Sequence, residues 1–409
     1  MFYGLLAYTF VFYTQIGSRV PILGQIRLEF ILGSAMLLAV GFKILNGEVR
    51  VPGNTLNWLA ITLLFVMLAT IPFAYVKMRA LRTFITVFKI FCIYLMIVPT
   101  INTEDRLRKF MILYLAVNAW IFLEPFFLSL QGKGFIYNNH MWRLAGITGM
   151  FSHPNGLGML TATNLPFFYH FMRSSESKLA KAISFAMIPI GLRVIMLTQS
   201  RTAFLGVLTF AALLWLRSKR KALALLAGLI VGSLLWAAAP DQTKNRFLTL
   251  GESVKLMTEN LTEEERASLG SMASRWELMR RSLVAFRENP VLGLGLDCFA
   301  SYNGRRWGLW FPPHNTYLQV LSETGLLGAV CLFLLVSYTF KNFRRARLSL
   351  SQTGKESSFM ARTLPGVVDS YVIWLVVSFF GIELYNNFWW IFGGLSVVIL
   401  SLSYQTDHP

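Results

Sequence analysis

The chain is broken into a dozen long apolar runs, and their length limits what it can fold into. A helix rises about 1.5 Å per residue, so about 20 apolar residues cross the hydrocarbon core of a bilayer. Lipid offers no partner to backbone N–H and C=O groups, so a spanning run of this kind satisfies them internally as a helix. The runs lie at roughly 1–17, 28–45, 57–76, 83–101, 109–130, 155–172, 181–199, 201–216, 222–239, 314–340, 363–382 and 386–404. Only 14% of the 409 residues are charged and 55% are hydrophobic, whereas a soluble domain carries about a quarter charged residues. The expected fold is an all-α polytopic membrane protein with about 12 transmembrane helices. Helices 1 to 9 would occupy 1–239, a long and partly helical loop 240–313, and helices 10 to 12 residues 314–409.

Charge sets the orientation. The net charge is +18, and much of the excess sits in short strips between runs: Arg173–Lys181, Arg217–Lys221 and Lys341–Arg362. An even number of spans puts all three strips on the side of both termini. By the positive-inside rule that side is the cytoplasm. The long loop 240–313 then faces outward, with ten basic and nine acidic residues. One strip breaks the rule. Lys77, Arg79 and Arg82 fall on the outer side with no acid nearby, which suggests an outer-face site for a phosphorylated lipid. No soluble domain is large enough to carry a basic face for nucleic acid. Cys92, Cys298 and Cys331 give no disulfide framework. Met1 leads into an apolar stretch without a basic n-region or a small-residue cleavage site, so that stretch is expected to be the first span.

Four segments could carry chemistry. In Phe311 to Gly328 (FPPHNTYLQVLSETGLLG), Pro312 and Pro313 end the loop, and His314 and Asn315 stand at the outer start of the tenth span. A helix N-terminus disfavours imidazolium, so His314 should be neutral and able to accept a proton. At 100° per residue Gly325 and Gly328 share its face, where another helix could pack closely. Glu323 falls on the opposite face. In Thr198 to Gly206 (TQSRTAFLG), Ser200 is a plausible N-cap and Arg201 opens a helix; dipole, N–H donors and guanidinium converge on a phosphate site. In Phe151 to Leu160 (FSHPNGLGML), Ser152 or His153 could cap a helix with Pro154 at its first position, leaving His153 and Asn155 at the outer water layer. In Ser274 to Tyr302, an amphipathic helix to about Arg287 would carry Trp276, Leu283 and Phe286 near one face. Arg275, Arg280, Arg281 and Arg287 form its basic run. The following GLGLD is no dinucleotide fingerprint, since no βαβ unit surrounds it.

Each segment also has a structural reading: an interfacial histidine, a snorkelling arginine, a helix start, a headgroup-facing helix. No His/Cys/Asp cluster has metal-ligand spacing, so no metal and no cofactor is expected. Glu124 and Asp369 lie in or near spans and are expected to be paired structurally. The special residues gather on the outer face of the second half, unlike the midplane sites of inverted-repeat transporters.

Taken in order, the four segments resemble the O-antigen ligase and polymerase superfamily of bacterial membrane glycosyltransferases. The pattern is a His-Asn pair (His314, Asn315), nine residues (Thr316 to Thr324), Gly325 and then Gly328, preceded by TQSRTAFLG, FSHPNG and the stretch from Arg275 through ENPVLGLG. The resemblance covers about residues 145–340 and implies transfer of a glycan from an undecaprenyl-diphosphate carrier at the periplasmic face of the inner membrane. One long outer loop and no C-terminal soluble portion favour the ligase, whose acceptor is lipid A-core oligosaccharide. A glycan polymerase of the same superfamily is the alternative, and a lipid or polysaccharide transporter is a reading from another class. Under the ligase reading His314 is the base and Arg201 the partner of the leaving diphosphate, assisted by Arg275. Asn315, His153 and Asn155 are further substrate-binding candidates, and Lys77, Arg79 and Arg82 are assigned to the acceptor. The partners are then the donor, the acceptor and membrane lipids.

Overall fold

The computed structural model of the protein describes residues 1–138, 141–149, 151–237, 239, 241, 243–244 and 271–405. A helix occupies each of the twelve apolar runs: α1 (Phe2–Thr14), α4 (Leu28–Leu45), α5 (Thr55–Thr70), α6 (Lys77–Thr100), α7 (Glu104–Leu130), α8 (Pro154–Ser174), α9 (Lys178–Thr198), α10 (Arg201–Arg217), α11 (Lys221–Ala237), α14 (Thr316–Gln352), α15 (Phe359–Ser378) and α16 (Phe388–Ser403). Two short helices, α2 (Ile16–Arg19) and α3 (Pro21–Gln25), follow α1. Two more, α12 (Ser271–Glu288) and α13 (Phe299–Trp307), lie in the long loop. Among the described residues, seven helices are long and apolar enough to cross a membrane: α4, α5 with the turn after it, α6, α7, α9, α14 and α15. The protein is a multi-pass membrane protein.

The bundle is layered by burial. α16 is apolar all round and buried along nearly its whole length against α14 and α6, as a helix without a polar face must be. α8 is the other central helix, packed on α9, α15 and α10. α4 and α11 leave most of their apolar residues on the outside, where lipid replaces protein as the partner. The acids expected to be paired are paired. Glu124 receives both arms of the Arg19 guanidinium at 2.5 and 2.6 Å. Asp369, fully buried on α15, is held by Arg217 at 2.5 and 2.6 Å and by His170 at 3.0 Å. A charge in hydrocarbon is costly, and an ion pair offsets much of that cost.

The structure departs from the sequence reading in four places. The chain is not wholly α: residues Phe135–Asn138 (β1) and Met141–Leu144 (β2) form an antiparallel hairpin between α7 and α8. Its strands are four residues long, too short to show an alternating pattern. α6 begins at Lys77, so Lys77, Arg79 and Arg82 sit in its first turns and not in a loop. α14 is interrupted at Gly325, whose φ of 64° and ψ of −163° leave the helix. The break is filled by the loop Pro290–Gly295, whose backbone at Val291 and Leu292 takes the space beside Gly325. On α12 the buried face is Leu278, Arg281, Ser282 and Ala285, whereas Trp276 and Leu283 are exposed and Phe286 only partly covered. A helix lying beside a membrane can keep an apolar face toward headgroups, so amphipathicity alone did not show which face packs.

Candidate functional site

Three backbone corners create the site. The first joins α9 to α10. Gln199 takes a left-handed φ of 51°, which turns the chain sharply. Ser200 caps α10 by accepting from Ala203 N at 3.4 Å, and Arg201 follows as its first residue. α8 packs closely on this corner, because Gly158 leaves room there: a Cβ on it would lie 2.9 Å from both Ala203 Cβ and Thr198 Oγ1. The TQSR and HPNG segments are therefore neighbours.

The second corner opens α8. His153 caps it, its Nδ1 accepting from Asn155 N at 3.2 Å, with Pro154 at the first helical position. Nδ1 is thus the unprotonated nitrogen when the ring is neutral. The Asn155 side chain accepts from Arg143 at 2.6 Å. Arg143, on β2, is fully buried and also donates to Thr198 O at 2.9 Å and to Asn138 Oδ1 at 3.0 Å. Sequence reasoning missed this arginine. It stands in a polar stretch between spans, and no motif pointed to it.

The third corner precedes α14. His314 has a left-handed φ of 53°, a strained backbone for a residue that is not glycine. Pro313 precedes it, and Asn315 caps the helix, accepting from Leu318 N at 3.0 Å. Thr316 ties the helix start to the α15–α16 connection: its Oγ1 accepts from Glu383 N at 2.8 Å and donates to Gly381 O at 3.3 Å. Further along, the break at Gly325 is held by four backbone hydrogen bonds. Leu294 N donates to Ser322 O, Gly295 N to Glu323 O, Leu326 N to Pro290 O and Leu327 N to Val291 O, at 2.8 to 3.4 Å. A Cβ on Gly293 would lie 2.5 Å from the Glu323 carbonyl carbon. Buried Glu323 accepts from Phe299 N at 3.1 Å, Gln319 Nε2 at 3.1 Å and the Tyr385 hydroxyl at 2.6 Å. It caps α13 and braces the loop, and its carboxylate is committed there.

Electrostatics shows what the corners bring together. His314 is half-buried and makes no hydrogen bond among the described residues. Its pKa is pushed down to about 4, first by burial and then by the positive charge of Arg275 and His153. His153 is lowered by the protein crowding its ring and by Arg143 and Arg275. Arg275 is lowered by burial and by Arg201. The charge of Arg275 thus reaches both imidazoles, and that of Arg201 reaches Arg275. Of the basic run on α12, Arg280 and Arg281 share the one carboxylate of Glu277, at 2.8 Å each. Arg275 forms no ion pair among the described residues. Two arginines beside two neutral imidazoles form a site of positive potential that suits a diphosphate.

Other expected site residues are placed differently. Arg79 is ion-paired with Asp297 at 2.8 Å and donates to Ser301 Oγ at 3.2 Å, so its charge already has a partner within the protein. Sequence could not show this, because Asp297 lies 218 positions away. Lys77 and Arg82 are exposed. The α5–α6 connection still lies beside the motif loop, since Tyr75 N donates to Leu294 O at 2.8 Å. The capping oxygen of Asn315 and the amide oxygen of Asn155 are both used within the protein. Among the described residues, no group of three or more His, Cys, Asp or Glu side chains could hold a metal ion.

Comparison with known proteins bears on the three residues at the centre, Arg201, Arg275 and His314. Residues 186–333, which contain all three, match the family model described as O-antigen ligase. Over this stretch the chain is similar to that family. The resemblance read from the motifs holds. A putative polysaccharide ligase of Rickettsia felis is 24% identical over 345 residues, covering 80% of this chain and 75% of the relative. Putative polysaccharide ligases of Rickettsia conorii and Rickettsia prowazekii are 27% and 25% identical, each over 42% of this chain and 38% and 39% of theirs. Arg143, His153 and Asn155 lie ahead of the matched stretch, in the part that the hairpin and α8 bring up against it.

Proposed function

We propose that the protein is an O-antigen ligase. It transfers a glycan from an undecaprenyl-diphosphate carrier to lipid A-core oligosaccharide at the periplasmic face of the inner membrane of a Gram-negative bacterium. One observation carries this reading: an unbonded, neutral histidine stands where Arg275 and Arg201 also converge, with no carboxylate paired to His314 or Arg275 among the described residues. Such a site can take up a proton and hold a leaving diphosphate.

In the reaction the acceptor hydroxyl attacks the anomeric carbon and gives its proton to His314. The bond from that carbon to the phosphate oxygen breaks, and undecaprenyl diphosphate leaves with the electron pair. Arg201 and Arg275 meet the charge that develops on it. A single displacement inverts the anomeric centre. A base with a pKa near 4 is weak, but a bound diphosphate opposes the field of Arg275 and raises it toward the range useful at neutral pH. The reaction needs no metal ion in this scheme. Twelve crossings put both termini in the cytoplasm, with the site and the loop 240–313 outside. The contact between the α5–α6 connection and the motif loop supports this, because both then lie on the same face.

The test is direct. Purified protein mixed with lipid-linked O-antigen and lipid A-core should yield the joined product. Elongation of the donor glycan without joining would identify a polymerase, and no covalent product at all would leave a transporter.

A further inference from the structure

The geometry points to a carbohydrate-binding subsite on the β1–β2 hairpin, with the rings of Trp142 and Tyr137 as its stacking platform. The proposal rests on the ligase reading and adds to it where the sugar is held. Tyr137 and Trp142 face each other across the two strands. Their ring centroids are 5.6 Å apart at 63°, so one ring braces the other edge-on while a ring face stays open. Both are largely uncovered, with 62% of Tyr137 and 56% of Trp142 exposed.

Exposed rings near a membrane surface are common and need no ligand. This pair differs in how it is anchored. Gln199 Nε2 donates to Trp142 O at 3.0 Å, from two residues ahead of Arg201. The next residue along β2 is the buried Arg143, which bonds Thr198 O and Asn155. The backbone under Trp142 is therefore fastened at two successive residues, Trp142 and Arg143, to the corner that carries Arg201. A ring that only dipped into headgroups would gain nothing from a fixed position relative to the diphosphate site. A ring that stacks on a sugar linked to that diphosphate, or on one entering to attack it, needs a fixed position.

The ligand chemistry follows from the rings. A pyranose presents axial C–H groups on one face, and the electron-rich face of an aromatic ring attracts them while excluding water. The indole N–H and the phenol O–H at the rim can bond sugar hydroxyls. The glycan of the donor and the oligosaccharide of the acceptor share this chemistry, and kinetics separates the two sources.

The experiment uses the full-length protein. Transfer is measured for wild type, Trp142→Ala and Trp142→Phe, varying donor at saturating acceptor and then the reverse. Separately, the lipid-free donor glycan and the deacylated core oligosaccharide are titrated into each protein by calorimetry, which needs no turnover. Trp142→Ala should raise KM for one substrate about fivefold, a size typical of one lost aromatic contact, and weaken binding of the matching free saccharide similarly. Trp142→Phe should recover most of both. The substrate whose KM rises identifies the source. Unchanged KM values for both substrates, with or without a lower yield of membrane-inserted Ala variant, would make the rings a membrane belt and overturn the subsite. A wild type that transfers nothing sinks the ligase reading. The calorimetric arm then still decides the subsite: saccharide binding lost with Trp142→Ala supports it, and no binding by wild type overturns it.

Discussion

Gly325 and Val291 meet backbone to backbone. A Cβ on Gly325 would press on the Val291 carbonyl and lie 2.6 Å from Leu292 N, and the glycine holds a φ of 64° that side chains resist. Gly325→Ala therefore combines a strained backbone with a clash, which together cost about 1–3 kcal/mol or more. The variant should melt earlier in detergent and lose transfer activity, since the loop that braces the break in α14 is displaced. An unchanged melting temperature would mean that the break tolerates a side chain.

His314 sets the acid limb of the pH profile. Its pKa in the free protein is held near 4, so kcat/KM should stay level from pH 7 to about pH 5 and fall below that as the base is protonated. Arg275 is one cause of the lowering. Removing its charge makes protonation easier, so Arg275→Gln should move the acid limb to higher pH. A limb that stays put would separate the two residues. His314→Ala should reduce transfer by about 10²–10⁴-fold with membrane insertion intact.

Arg201 is assigned a planar, two-pronged contact with the diphosphate. Lysine keeps the charge and loses the fork, so Arg201→Lys should be nearly as damaging as Arg201→Ala. Near-normal turnover by the lysine variant would reduce Arg201 to a general cation.

The three cations at the start of α6 divide. Arg79 and Asp297 form a pair in which each side chain is more than a third exposed, so a double-mutant cycle on thermal stability should return at most about 1 kcal/mol. Arg79→Ala should loosen the loop without altering salt dependence at the acceptor. Neutralising Lys77 and Arg82 should instead raise KM for the acceptor, and added salt should blunt the effect. Equal behaviour of all three would return Arg79 to the acceptor site.

Metal dependence is a further check. Arginines alone oppose the diphosphate in the proposed reaction, so transfer should survive EDTA. Activity lost with EDTA and restored by Mg²⁺ would require a metal site that this scheme lacks.

The sequence shows the helices well because each apolar run satisfies its own backbone, and every run placed from length and polarity is a helix. It also singles out His314, Arg201 and Arg275 as candidates, each near a helix start with its own local signal. What it does not show depends on distant partners. Arg79 looks unpaired until Asp297 is folded beside it. Arg143 has no motif, and only the hairpin carries it to Thr198 and Asn155. Gly325 looks like a packing glycine because helical periodicity assumes that the helix continues. The burial of Leu278 in place of Trp276 is decided by α14, not by α12.

The break in α14 also sets an order of assembly. Pro290 to Gly295 cannot be locked until the residues on both sides of Gly325 exist, and Arg79 waits for Asp297 from a stretch made much later. Sequence-distant contacts form only after the chain between them is made and closed. The first nine runs can enter the membrane in turn during synthesis, while His314 is still unmade. The candidate site is therefore incomplete through most of synthesis, because His314 at the start of α14 is made after His153, Arg201 and Arg275.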